Sequence, residues 1–473
     1  MAYTSTFAGI NTALRGLMAH QAAMDTTGHN ISNVSTEGYS RQTDELTTTT
    51  PYTLPAMNRA MPGQVGTGVQ VSSIQRARDQ YIDRSIRTQF GSASSSSAQL
   101  GSLQELEAAL GEPSANAISG SLRNFLDSMS KVAASPNDPS ARQAFAQSAS
   151  QLATQLNQVD TRLTAVATES DDRLNQTVLD VNQITSRIAT LNQNIKQAVG
   201  VGEQPNDMLD QRDLLMDKLS KVLNYTYTTN NATQEVTITF GVTVPIPLVD
   251  PLVAGGSTPI VRADLDTAYG NGDLTAGQAH GDETMFNTKI PALRTQLDNL
   301  ANSLVTSFNA QNLAGFDLTG APGGNIFNPG GTLAATIQLD PGNNILANPN
   351  LIAAASSWGA PGEPLNGGNA LAMAGLRSVV QGAPMNATFE GYYGSVVSGL
   401  GTQAAQMDQT LGDQTTVSDA MESRRQSVSG VSMDQELSDM MRFQHAYQAC
   451  ARVLTTLDEG IDTIINHMGR VGI

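Results

Sequence analysis

The side chains able to do chemistry are few and far apart. The histidines are His20, His29, His280, His445 and His467, and no two lie three to five residues apart. That spacing excludes HExxH and any other pair that meets on successive helical turns to hold a metal. Cys450 stands alone, so neither an intrachain disulfide framework nor a cysteine zinc site can form. It falls on an apolar helical stripe, where a cysteine acts as a small hydrophobe. There is no Gly-x-Ser-x-Gly elbow for a serine nucleophile. Asp264 and Asp266 begin like a calcium loop, but the third ligand and the glycine that should follow are wrong. Gly66-Thr67-Gly68 lacks both the third glycine of a dinucleotide fingerprint and the Gly-Lys-Ser/Thr of a P-loop. Asp207, Asp210, Asp213 and Asp217 recur along one predicted helix, with Arg212 and Lys218 between them. Paired carboxylates can do acid–base work only where a hydrophobic cleft tunes them. With no such cleft in view, the spacing predicts a solvated charged face. No catalytic residue, metal or cofactor is expected.

The information lies instead in the elements that would have positioned such residues. Over 432–468, Met433, Glu436, Met440, Phe443, Tyr447, Cys450, Leu454, Leu457, Ile461, Ile464 and Met468 step by three and four. This is a heptad seam, interrupted only by Glu436. Ser432 and Gln435 read as a capping box, and the helix would be roughly 54 Å long. At the other end, over about 6–33, Ile10, Leu14, Leu17, Gln21, Met24, Gly28 and Ile31 form a second, weaker seam. Two such helices at the ends of one chain predict that the ends pair. Together they carry more apolar stripe than two helices can bury, which predicts assembly with further copies.

Composition sets the outer limits. The chain has 473 residues, a net charge of −17 and 5% aromatic content. Its lysines are only Lys131, Lys196, Lys218, Lys221 and Lys289. Nucleic acid and anionic membranes both require clustered basic residues, so neither is an expected partner. No signal-peptide pattern opens the sequence, and no apolar run is long enough to span a membrane.

Between the ends, 39–74 reads as extended, with Pro51, Pro55 and Pro62 against helix. Helices are predicted over 79–90 and 100–110, separated by a serine-rich break at 91–97. Leu122, Phe125, Leu126, Met129 and Val132 share one helical face. Asp138 as N-cap with Pro139 at the first helical position opens the longest helix, which slips in rhythm near Ser170 and ends at Gly200 and Gly202. Another helix covers 206–222. Strand periodicity covers 224–265, with turns at Asn230-Asn231 and Gly255-Gly256. Helix returns over 283–312, and 315–368 reads as loop with short β pieces such as 336–339. Further helices follow near 370–380 and over 388–428.

The expected fold is therefore mainly α with a small β insertion. Residues 1–74 with 430–473 would make a paired coiled-coil assembly domain. Residues 75–223 with 283–429 would make an elongated helical bundle, including the Gly/Pro/Asn-rich region 314–368. Residues 224–282 would be a small antiparallel β domain.

Just after the first helix the chain reads Asn30-Ile31-Ser32-Asn33, then Gly38-Tyr39 and Arg41-Gln42. Asn30 and Asn33 tolerate left-handed backbone, and Gly38 can supply a positive φ. This stretch resembles the signature of the flagellar axial proteins of rod, hook and hook-associated type. Met433-x-x-Glu436-Leu437, Gln444-x-x-Tyr447 and Ala451 resemble their shared terminal helix. Asn137-Asp138-Pro139 with Arg142, the run 208–213, Phe308-Asn309-Ala310-Gln311 and Gly315-Phe316-Asp317 narrow the resemblance to the hook-associated branch at the hook–filament junction. The resemblance implies a structural, self-assembling subunit, exported unfolded through the flagellar type III channel without a cleaved signal. Its implied place is outside the cell, in a ring of identical subunits whose terminal helices form an inner tube. Implied partners are the hook protein, a second hook–filament junction protein and an export chaperone before secretion. A distal rod or hook component is the alternative within the family. An enzyme displayed on a helical scaffold is the alternative outside it, and would need a convergent polar pocket, most plausibly in 315–368.

Overall fold

Asp138 and Pro139 do what their order demands. The Asp138 Oδ1 accepts from the Ser140 N–H at 2.9 Å, Pro139 takes the first helical position, and 62 residues of helix follow. The computed structural model describes residues 7–51, 66–114, 117–358 and 366–467. Its order is α1 (Ala8–Ser32), β1 (Gln42–Thr48), β2 (Val69–Arg76), α2 (Gln80–Leu110), α3 (Ile118–Ala134), α4 (Pro139–Gly200) and α5 (Asn206–Val222). Then come β3 (Thr226–Thr229), β4 (Val236–Phe240), β5 (Ile246–Val249), α6 (Arg262–Gly270), α7 (Gln278–Thr284) and α8 (Ile290–Leu313). The chain closes with α9 (Gly368–Gly375), α10 (Phe389–Ser429) and α11 (Met433–Asp462). No helix among the described residues is long and apolar enough to cross a membrane. The expected mainly α fold with small antiparallel sheets is what the chain adopts.

Packing divides the chain into two units, each discontinuous in sequence. The terminal unit comprises Met1–Phe90, Val181–Ile260 and Thr416–Ile473, and the bundle unit Gly91–Asp180 and Val261–Thr415. This grouping differs from the three-part division suggested by periodicity. The sheet β3-β4-β5 shares a unit with the terminal helices, because Asn192 of α4 clasps β4. Its Nδ2 donates to Val236 O at 2.7 Å and its Oδ1 accepts from Val236 N at 3.1 Å. Val236, Ile238 and Phe240 alternate inward from the central strand and are buried. Strand structure ends at Val249; the later part of 224–282 is α6 and α7, so that segment is only half β.

In the bundle unit the predicted face of α3 is fully buried. Phe125 sits at its centre, with ring centroids 5.2 Å from Phe145, 4.7 Å from Phe308 and 5.9 Å from Phe327. The stretch after α8 is irregular, but it is core rather than surface. Ile326, Phe327, Ile337, Ile345 and Ile352 are buried in it. The polar backbone there must find partners, and α8 supplies them. Asn309 donates to Phe327 O and accepts from Ile326 N and Phe327 N; Asn312 donates to Gly324 O and accepts from Ala353 N. Buried Arg142 similarly clamps the carbonyls of Pro136 and Ile352, at 2.6 and 2.7 Å. The anticipated strand at 336–339 is reduced to an isolated bridge between Phe327 and Leu339.

The serine-rich break at 91–97 does not exist: α2 runs through it. Small residues there serve a close helix crossing instead of a loop. A Cβ on Gly281 of α7 would lie 2.6 Å from Ser95 O and 2.7 Å from Ala98 Cβ. Gly281→Ala is therefore expected to destabilise the bundle unit by about 1–3 kcal/mol through overpacking. Urea unfolding followed by fluorescence of Trp358 would show it.

Candidate assembly interface

Helices α1 and α11 pair antiparallel. Gly9 faces Leu457, Gly16 faces Cys450 and Gly28 faces Met440. Of the α11 seam, Met440, Phe443, Tyr447, Cys450, Leu454, Leu457 and Ile461 are half-buried. Met433 and Ile464 are exposed, and Met468 lies outside the described residues. The capping box does not form. Ser432 is extended and its side chain makes no cap bond.

The α1 seam is displaced by one residue from the predicted stripe. The face turned to α11 includes Gly9, Gly16, His20 and Asn30, with Gly28 of the predicted stripe at its edge, and Ala13, Ala23 and Thr27 of the same line are buried. Small side chains let the two backbones approach. A Cβ on Gly16 would already sit 3.0 Å from Cys450 Sγ. Hydrophobicity alone picks out the larger neighbours. Of these, Ile10, Leu17, Met24 and Ile31 are only half-buried and Leu14 is 37% exposed.

The signature after α1 is a set of fasteners. Asn30 is helical and makes four hydrogen bonds. Its Nδ2 donates to Gln42 O at 2.9 Å and to Glu436 Oε2 at 3.0 Å, while its Oδ1 accepts from Tyr39 OH at 2.8 Å and Gln42 N at 2.9 Å. Asn33 caps the end of α1 through His29 O, with φ −104, so neither asparagine adopts the left-handed backbone anticipated for it. Gly38 does, at φ +80 against Leu214. Arg41 Nε donates to Glu436 Oε1 at 2.6 Å and its backbone N–H donates to Ser429 O at 2.8 Å. Gln42 Nε2 donates to Asp207 Oδ1 at 2.9 Å. The loop thus ties α1 to both α11 and α5. Glu436, the lone polar position of the C-terminal seam, was the signal for this lock, and its partners lie 395 and 406 residues away.

The carboxylate row on α5 is not a solvated face. Asp210 accepts from Ser40 Oγ at 2.7 Å and from Arg76 Nη1 at 2.8 Å. Asp213 meets Arg76 at 2.8 Å, Arg78 at 3.4 Å and Arg87 at 3.4 Å. Asp217 meets Arg87 at 2.6 Å and Arg425 at 2.5 Å. Burial by itself would raise the Asp213 carboxyl, but Arg78, Arg76 and Arg87 outweigh it and hold it well below the usual carboxylate range. Nothing in the sequence spacing of α5 announced these arginines, which come from β2, the connection after it, α2 and α10. Among the described residues, no group of three His, Cys, Asp or Glu side chains could hold a metal. The arrangement binds helices and strands together.

Comparison with known proteins places these features. Residues 103–327 match the family model described as "Flagellar hook-associated protein FlgK helical domain". Residues 422–467 match "Flagellar basal body rod FlgEFG protein C-terminal", and residues 10–39 match "Flagella basal body rod protein". The flagellar hook-associated protein 1 of Bacillus subtilis (strain 168) is 30% identical over 98% of this chain and 99% of its own length. That of Salmonella typhimurium is 27% identical over 97% of this chain and 99% of its own. A solved structure, that of the flagellar hook junction protein FlgK from Burkholderia pseudomallei, shares the fold with a TM-score of 0.58 at 18% identity, covering 73% of this chain and 100% of that one. On the strength of the end-to-end likeness, the chain belongs to the flagellar hook-associated protein 1 family.

Proposed function

We propose that this chain is a structural subunit of the bacterial flagellum that builds the junction between hook and filament by self-assembly of its terminal helices. The observation that carries the reading is the apolar surface left exposed on the paired ends. Met441 is 57% and Val453 51% exposed on α11, and Leu437 near its start and Ile464 and Ile465 just after its end are exposed as well; Leu14 and Met18 are exposed on α1. Pairing in cis uses the small-residue face of α1 and leaves this larger apolar surface for neighbouring copies, which a closed ring covers. The hook protein and a second junction protein would flank that ring, an export chaperone would hold the chain before secretion, and the site of action is outside the cell.

Val453→Asp tests this apart from folding. Its position is exposed, so the unfolding midpoint should move within about 0.5 kcal/mol. Incorporation at the hook tip should nevertheless be abolished. Leu454→Asp, on the cis seam, should lose both the helix pair and incorporation. Normal filament growth by Val453→Asp would sink the proposal.

A further inference from the structure

Arg212 is the one arginine of the buried network with no carboxylate in ion-pair contact among the described residues; Asp213 acts on it only at longer range. It is 4% exposed. Its Nη1 donates to Asn192 Oδ1 at 3.3 Å and to Gln234 O, and its Nε finds no partner. Burial pulls its pKa down to about 10, which marks a cation stripped of water without full compensation. A buried donor left unpaired is costly, and more so when the group is charged. Arg212 lines a groove of about 650 Å³ together with Arg76, Arg78 and Arg87. Those three already divide Asp83, Asp210, Asp213 and Asp217 among themselves, and Arg425 draws on Asp217 as well. Glu203 also lines the groove, exposed to water and without an ion pair to Arg212. Arg84 and Arg87 lie 5.6 and 5.4 Å over the ring of Tyr227, which lines the same groove.

We infer that this groove is an anion site in which Arg212 receives a single carboxylate. A charge-assisted guanidinium–carboxylate bond is stronger than a neutral one, and in a half-buried groove it is screened little by salt. The carboxylate is either a free small ion or an aspartate or glutamate of a second copy of this chain; the chemistry is the same.

The test uses the full chain and sodium acetate, with sodium chloride at matched ionic strength as reference. At tenfold excess over its dissociation constant, acetate should raise the unfolding midpoint by about 3 °C. Arg212→Gln should abolish that rise. Because Arg212 also anchors Gln234, that variant could fail to fold, and Glu203→Gln provides the independent arm. Glu203 is exposed, and removing its opposing charge should tighten acetate binding about two- to threefold. In wild-type protein labelled with nitrogen-15, the Arg212 Nε–H resonance should move on titration. If a neighbour's side chain is the natural occupant, acetate should also suppress self-association; if a free ion is, association should be indifferent to acetate. The inference is overturned if acetate matches chloride, if Arg212→Gln keeps the full response, or if Glu203→Gln leaves the affinity unchanged.

Discussion

Replacing Glu436 by alanine is expected to destabilise the terminal unit by about 3 kcal/mol, because it removes the closest acceptor of a mostly buried guanidinium and one of the two acceptors of a buried amide. Glu436 accepts from Arg41 Nε at 2.6 Å and from Asn30 Nδ2 at 3.0 Å, and its side chain is buried. Arg41 keeps only the longer contact to Asp439, at 3.4 Å. Glu436→Gln retains an acceptor and removes the charge, so it should cost less, about 1–2 kcal/mol. The loss should concentrate where the lock acts. Hydrogen exchange should accelerate at the end of α1, through residues 38–42 and in the first turns of α11, with the bundle unit unaffected. Uniform exchange acceleration across both units would show that Glu436 is not a local fastener.

The second large effect belongs to Asp213. Asp213→Ala would leave Arg76, Arg78 and Arg87 sharing fewer carboxylates in a buried setting, at a cost of about 3–5 kcal/mol. The same group predicts a pH dependence with a definite sign. Its folded pKa lies below the unfolded value of about 3.9. The unfolded chain therefore binds the proton first as the pH falls. The stabilisation is complete above about pH 5 and drains away through about pH 4 and below. Asp213→Asn should be less stable at neutral pH and should show a shallower acid limb. Urea midpoints at a series of pH values would measure both; an acid limb as steep as wild type in Asp213→Asn would remove Asp213 as its source.

These two sites differ in how far they could be seen in advance. Glu436 was visible as the polar interruption of an otherwise apolar seam, and Arg41 as part of a recurrent signature. What they do to each other was not visible, because a pairing across 395 residues leaves no trace in local spacing. The α5 carboxylates looked solvated for the same reason. A row of aspartates on a helix reads as surface unless the arginines that cover it lie nearby in sequence, and here they come from positions 76, 78, 87 and 425. The serine-rich run at 91–97 misled in the opposite direction. Glycine and serine are turn formers on their own, yet under a crossing helix their small size is what the packing requires.

Much was settled by the chain alone. Periodicity is a local property, so the helices α1, α3, α4, α5, α10 and α11 could be read from it, α5 with the observed limits of 206–222. The caps of α4, the alternation of β4 and the pairing of the two chain ends followed from the same kind of evidence. The rotational phase of α1 could not be settled that way. Two stripes one residue apart are both heptad-spaced, one large and apolar, the other small. Only the approach of α11 chooses between them, because close helix packing selects Gly9, Ala13 and Gly16 for their size and turns Leu14 and its neighbours outward. Sequence determined that the ends pair; tertiary structure decided which face is spent on that pairing and which stays exposed.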